Sequence, residues 1–195
     1  MSGPSVCLFC GSRTGLSPVF AEQVQKFCSL LAHADGTLIT GGGHIGLMGI
    51  AADTMLTQGG RVIGVIPAAL EQQELAHKGL TALHVVTSMH QRKALMADMA
   101  QIFVAAPGGI GTLEEFFEIW TWHQLGLHEK PIALFNPSSY YDPLLKLLQQ
   151  AENQGFIDHS TRKLLHVADS ADSLWAWVEA VHVPSRRQAP LLSKI

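Results

Sequence analysis

The chain is poor in the residues that would place it outside a reducing compartment or on a charged polymer. It has three cysteines, Cys7, Cys10 and Cys28, which cannot make an even disulfide framework. Cys7 and Cys10 form a C-x-x-C, but no second cysteine pair follows to complete a zinc site. Their offset sends the two side chains to opposite faces of a strand, so they read as small buried residues. Positive charge is also short. Thirteen Lys and Arg stand against 16 Asp and Glu, a formal net charge of −3, which leaves nothing to neutralise a nucleic-acid backbone. No apolar run approaches the roughly 20 residues of a membrane span, and the first residues lack the basic stretch of a signal peptide. A cytoplasmic protein that binds neither nucleic acid nor membrane is expected.

Several catalytic signatures are missing as well. There is no Gly-x-Ser-x-Gly elbow, no Gly-Lys-Ser/Thr phosphate loop, and no His-x-x-x-His among the ten histidines. His123 and His128 read as packing or interface groups. No lysine lies in a persuasive setting for pyridoxal phosphate. Neither a metal nor a cofactor is therefore expected. What is present is core: 47% of the residues are hydrophobic and 15% charged. A length of 195 residues suits one domain. It is placed at 1–183, with 184–195 a loose tail or docking arm carrying Arg186, Arg187 and Lys194.

Short apolar runs at 5–10, 37–40, 61–66, 83–86, 101–106, 131–135 and 164–167 read as strands. Helical spacing occupies 18–33, 45–57, 89–100, 112–125, 141–154 and 173–182, and 68–81 reads as a loop with a short helix. Strands alternate with helices, and most strands are continuous apolar runs. This predicts an α/β, doubly wound, mostly parallel sheet with helices on both faces. Ligands of such sheets lie beyond the carboxyl ends of the strands, near the point where strand order reverses.

Two glycine loops lead from a strand end into a helix and offer backbone N–H groups to an anion. The first runs Gly41-Gly42-Gly43-His44-Ile45-Gly46-Leu47-Met48-Gly49. It follows the second strand, and the strand after it ends without the acidic residue that would hold a dinucleotide ribose. Gly42 and Gly43 are candidate substrate contacts, with close packing of helix on sheet as the alternative. The second loop, Pro107-Gly108-Gly109-Ile110-Gly111-Thr112-Leu113-Glu114-Glu115, is more specific. Thr112 is placed to cap the following helix, which would make Thr112-x-x-Glu115 a capping box. The alternative is that Glu115 is a catalytic carboxylate. Glu114 and Glu118 read as solvated or interface charges. Arg92 and Lys93 sit near a helix start that disfavours cations, which points to a nearby anion. Arg92 is the better fork-shaped grip for one.

The combination of Met89-His90-Gln91-Arg92-Lys93 with the 107–115 loop resembles the LOG ("lonely guy") family, cytokinin riboside 5′-monophosphate phosphoribohydrolases. The similarity runs from about Cys7 to Val167 and takes in Cys10-Gly11-Ser12, Gly64-Val65-Ile66-Pro67 and Thr121-Trp122-His123-Gln124-Leu125-Gly126. The resemblance implies a Rossmann-like fold, a homodimer with its active site close to the interface, and a nucleoside 5′-monophosphate as substrate. The implied reaction cleaves the N-glycosidic bond of adenine-type nucleotides to free base and ribose 5-phosphate. It makes Arg92 and Glu115 the catalytic pair. It makes Glu74, Lys93, Gly108, Gly109, Ile110, Gly111, Thr112, Leu113, Glu114 and Thr121 substrate contacts. The role of Arg92, gripping an anion or polarising the substrate, stays open. So do two alternatives: an AMP nucleosidase of purine salvage, and a non-catalytic nucleotide or molybdenum-cofactor carrier. Gln73, Ile110 and Arg13 depart from residues common at those positions.

Overall fold

In the computed structural model, which describes residues 3–71 and 76–182, alternate residues of the first strand serve two different cores. Val6, Leu8 and Cys10 of β1 (Ser5–Phe9) and its exit pack on one side, Cys7 and Phe9 on the other. That follows from the two-residue repeat of a strand buried on both faces.

β1 lies at the middle of a seven-stranded sheet. The other strands are β2 (Thr37–Thr40), β3 (Arg61–Pro67), β4 (Ala82–Val86), β5 (Ile102–Ala105), β6 (Ile132–Phe135) and β7 (Leu165–Ala168). The order is β4-β3-β2-β1-β5-β6-β7 and every pairing is parallel, so the expected "mostly parallel" is parallel throughout the described residues. Strand order reverses at β1, and the ends of β1 and β5 are therefore where a ligand crevice belongs.

The helices divide between the faces. Helices α1 (Val19–His33), α2 (Gly46–Thr57) and α8 (Ala171–Val181) cover one core, through Val24, Phe27, Leu47, Ala51, Leu174 and Val178. Helices α4 (Met89–Met99), α5 (Ile110–Gln124) and α6 (Asp142–Asn153) cover the other, through Met96, Phe116, Trp120 and Leu148. The short α3 (Ala68–Glu71) follows β3, and α7 (His159–Lys163) precedes β7. The sequence did not signal α7: at five residues its pattern is too short to carry a period, and its start is marked only by Asp158 accepting from the Thr161 N–H. The 184–195 tail and Glu74 lie outside the described residues.

One boundary changes the meaning of a residue. Helix α5 starts at Ile110, not at Thr112, with Gly109 in extended conformation as its N-cap and no side-chain cap. Glycine is an acceptable N-cap, and the Gly109 carbonyl takes the Leu113 N–H at 3.1 Å. The capping box between Thr112 and Glu115 does not form. Glu115 is the sixth helical residue, too far along to reach back to the cap.

Candidate active site

Three strand ends and two helices meet beside the α5 start. The Gly11 N–H donates to Pro107 O at 3.0 Å and the Leu47 N–H to Gly11 O at 2.9 Å, which ties the exit of β1 to both glycine loops. Gly46, with φ at +62°, lies so close to Ser12 that a Cβ would sit 2.2 Å from the Ser12 carbonyl carbon. Glycine is required there on both counts.

Arg92, on the first turn of α4, is buried at 6% exposure. Its Nε donates to Val65 O at 3.1 Å, and its Nη2 lies 3.6 Å from Glu115 Oε1 of α5. The same Nη2 lies against Gly41: a Cβ on that glycine would stand 2.0 Å from it. Arg92 is therefore held by a strand-end carbonyl, a carboxylate and a bare peptide.

Lys93 turns the other way. Its Nζ pairs with Glu114 at 2.7 Å and Glu118 at 2.8 Å. Burial alone would pull the ammonium down, but the hydrogen bonds and charges of the two carboxylates outweigh it and hold Lys93 above its ordinary range. The anion anticipated beside Arg92 and Lys93 is thus supplied in part by the acidic residues of α5. Glu114 and Glu118 are ion-pair partners rather than freely solvated charges.

Arg92 and Glu115 share a cavity of about 220 Å³ with Ser12, Gly41 and the Gly109–Thr112 stretch. A second cleft of about 480 Å³ adjoins it, also walled by Ser12, Gly109 and Ile110, and reaches Arg13, Phe20 and Tyr140. Small-molecule sites usually need roughly 300–1,000 Å³, so the smaller cavity does not hold a nucleotide by itself. Together the two compartments fall within that range. Neither Gly109 nor Gly111 has a positive φ, and a Cβ on either would meet nothing within 4 Å. Their lack of side chain serves no packing inside the chain, and it keeps the approach to the helix start clear. Thr112 is buried against Gly108, where a Cβ would stand 2.1 Å from its Oγ1.

Of the residues expected at the site, Arg92, Glu115, Gly109, Ile110, Gly111 and Thr112 line the smaller cavity and Gly108 the larger. Leu113, Glu114, Lys93 and Thr121 line neither. Gly42 gives its carbonyl to the His77 N–H at 2.9 Å and Gly43 bridges Ala76, so of these three glycines it is Gly41 that lines the site, with Met48 further along the loop. Ser12 and Gly41 enter the sequence reading only as parts of motifs, not as substrate contacts, and Tyr140 does not enter it. The first two sit just past the ends of β1 and β2, and the strand-end rule could have found them.

Cys10 lines the smaller cavity, and all three cysteines are buried. Burial, with neighbouring negative groups adding to it, pushes the Cys7 and Cys10 thiols well above their ordinary range. His128 is buried, with Nε2 2.9 Å from Ile119 O, and packs against Phe103 and His123. No cluster of metal-ligating side chains occurs among the described residues, and no described helix is long and apolar enough to cross a membrane.

Residues 48–178 match the family model described as "possible lysine decarboxylase". Lys130 Nζ donates to Ala97 O and Asp98 O and Lys93 pairs with two carboxylates, so neither points into the cavities described above. The chain is 44% identical to the cytokinin riboside 5′-monophosphate phosphoribohydrolase of Rhodococcoides fascians, over 90% of this chain and 89% of that one. It is 40% identical to an enzyme of that name from Arabidopsis thaliana, over 87% and 78%, and to a probable one from Oryza sativa subsp. japonica, over 96% and 84%. Among solved structures it is similar to the molybdenum cofactor binding protein of Rippkaea orientalis, with TM-score 0.70 and 19% identity over 93% and 98% of the two chains. A molybdenum cofactor carrier of Chlamydomonas reinhardtii gives TM-score 0.67 at 19% identity over 99% of both. At that identity the likeness concerns the Rossmann-like fold alone. With the relatives' shared name, the identity and the length of the matches taken together, the chain belongs to the LOG family of cytokinin riboside 5′-monophosphate phosphoribohydrolases.

Proposed function

We propose that this chain hydrolyses the N-glycosidic bond of adenine-type nucleoside 5′-monophosphates, releasing free base and ribose 5-phosphate. The observation that carries the reading is the Arg92–Glu115 pair, 3.6 Å apart in one cavity with the bare start of α5. Breaking the bond from C1′ to the base nitrogen builds positive charge on the ribose, as in glycoside hydrolysis generally. The Glu115 carboxylate is placed to stabilise that charge and to orient the attacking water. Water supplies the hydroxyl at C1′ and, overall, the proton that the departing base takes up. Arg92 holds Glu115 in place. The N–H groups at the α5 start, with Thr112, grip the 5′-phosphate, and binding energy from that remote group fixes the ribose for attack.

AMP and its N6-modified relatives fit the same chemistry, and AMP nucleosidase activity is part of the proposal. The carrier reading shares only a fold with its proponents, and a carboxylate facing an arginine across the cavity gives it no advantage.

A homodimer accounts for Thr121. It lies six residues beyond Glu115, about 9 Å along the helix, and lines neither cavity of its own chain. Phe117 and Thr121 of α5 and Leu125 at its C-cap form an exposed stripe at four-residue spacing. A second copy on this stripe would bury it and bring Thr121 toward the partner's site. The three free, buried cysteines suit the cytoplasm.

The test is chromatography of products from AMP and from isopentenyladenosine monophosphate, with wild type and Glu115→Gln side by side. Base released by the wild type alone is the expected result. No base from either nucleotide, with a folded protein, would sink the proposal. Sedimentation equilibrium decides the dimer.

A further inference from the structure

Three consecutive carbonyl oxygens behind the α5 start are each held by a donor. Tyr141 Oη donates to Ala106 O at 2.7 Å, the Gly11 N–H to Pro107 O at 3.0 Å, and Tyr140 Oη to Gly108 O at 2.5 Å. In a trans peptide the C=O and N–H point in opposite directions. A Gly108 carbonyl held by Tyr140 therefore turns the Gly109 N–H to the other side. There it joins the N–H groups of Ile110 and Gly111, which have no acceptor within the helix. The acceptors of this loop are tied back, and its donors form one array at the positive end of a helix.

The tyrosines are presented by an unusual turn. Ser138 and Ser139 have φ of 56° and 59°, a left-handed pair that residues with a Cβ disfavour and that persists only where the surroundings impose it. Here Asn136 imposes it: its Oδ1 accepts the Tyr141 N–H at 2.5 Å and its Nδ2 donates to Asp142 at 2.9 Å. Tyr141 is buried, whereas Tyr140 stands at the wall of the larger cleft with Phe20 edge-on to its ring at 5.6 Å.

We propose that Tyr140 is a positioning residue for the substrate phosphate. Its hydroxyl takes no part in bond cleavage. It fixes the peptide between Gly108 and Gly109, and through it the donor array that grips the phosphate. The proposal rests on the phosphoribohydrolase reading for the identity of the substrate, but the array should bind inorganic phosphate whether or not the chain turns over a nucleotide.

The experiment compares wild type with Tyr140→Phe, which keeps the ring and removes one hydrogen bond. The affinity for inorganic phosphate, read by titration calorimetry, should fall about three- to tenfold, the usual reach of one hydrogen bond. The KM for AMP should rise by the same factor with kcat within about twofold. Turnover of adenosine, which has no phosphate, should not change, so the preference for AMP narrows. A merely structural role would lower thermal stability without this phosphate-dependent split. Unchanged phosphate affinity in a folded Tyr140→Phe would overturn the proposal, as would a fall in kcat at constant KM or a wild type that binds no phosphate. Failure of the enzymatic reading shows separately, as wild type that binds phosphate but releases no base.

Discussion

Arg92 Nη2 and Glu115 Oε1 face each other at 3.6 Å, from two helices on the same side of the sheet. That is longer than the roughly 2.7–2.9 Å of a tight charge-assisted hydrogen bond. The carboxylate keeps room for a third participant. Because Glu115 is not a helix cap, its loss should be felt in chemistry. Glu115→Gln should lower kcat by about 10²–10⁴-fold in a protein whose circular dichroism is native. A variant with wild-type kcat would remove Glu115 from the mechanism.

Gly41 touches no substrate in this reading, yet it should be sensitive. In Gly41→Ala the new Cβ would stand 2.0 Å from Arg92 Nη2, so the guanidinium must leave the place that sets its 3.6 Å separation from Glu115. A kcat reduced at least about tenfold is expected, since displacement by about an ångström is costly in a preorganised site. Steady-state kinetics at saturating AMP check it.

Gly109→Ala makes the opposite demand. Its Cβ has no neighbour within 4 Å, so folding should tolerate it. It stands where the phosphate must approach. The expected outcome is a raised KM for AMP and a thermal midpoint close to wild type. A large loss of stability with KM unchanged would contradict the phosphate site.

Lys93 carries an alkaline signature. Its ammonium is held above the ordinary 10.5 by Glu114 and Glu118 against the cost of burial. A cation whose folded pKa is raised lends stability that is complete below the unfolded value and disappears as pH climbs through the folded one. In urea melts, the stability gap between wild type and Lys93→Met should be constant up to about pH 10 and shrink above it. A gap indifferent to pH would mean that packing of the lysine stem, not its charge, matters.

His166 should act on the acid side. Partial burial beside Trp177, whose ring stacks on it at 4.8 Å, lowers its pKa below the usual 6.5. The unfolded chain then binds the proton more readily, so stability rises with pH through this window and falls as pH drops below about 6.5. His166→Gln should flatten that part of the profile in thermal melts from pH 5 to 7.5.

Much of this was legible beforehand, and for local reasons. The β2 strand was read with its observed limits because Thr37–Thr40 is an apolar run between Asp35-Gly36 and the triple glycine. Helix α5 starts two residues before the expected position: Thr112-x-x-Glu115 carries the capping-box signature, whereas Gly109, the actual N-cap, has no side chain to mark it. Tyr140 gave no signal, since a hydroxyl that reaches a carbonyl 32 residues back in the chain leaves no periodic trace.

The sequence by itself determined a parallel doubly wound sheet, two glycine loops at strand ends and an acidic helix behind the second. Those follow from periodicity, continuous apolar runs and punctuation, which act over a few residues. The tertiary structure alone decided which cation meets which acid. Arg92 and Lys93 are adjacent, yet one turns to Glu115 and the other to Glu114 and Glu118. Successive helical residues point about 100° apart. Only the packing of α4 and α5 on the shared sheet fixes the rotation of one helix against the other, and with it which of the two cations enters the cavity.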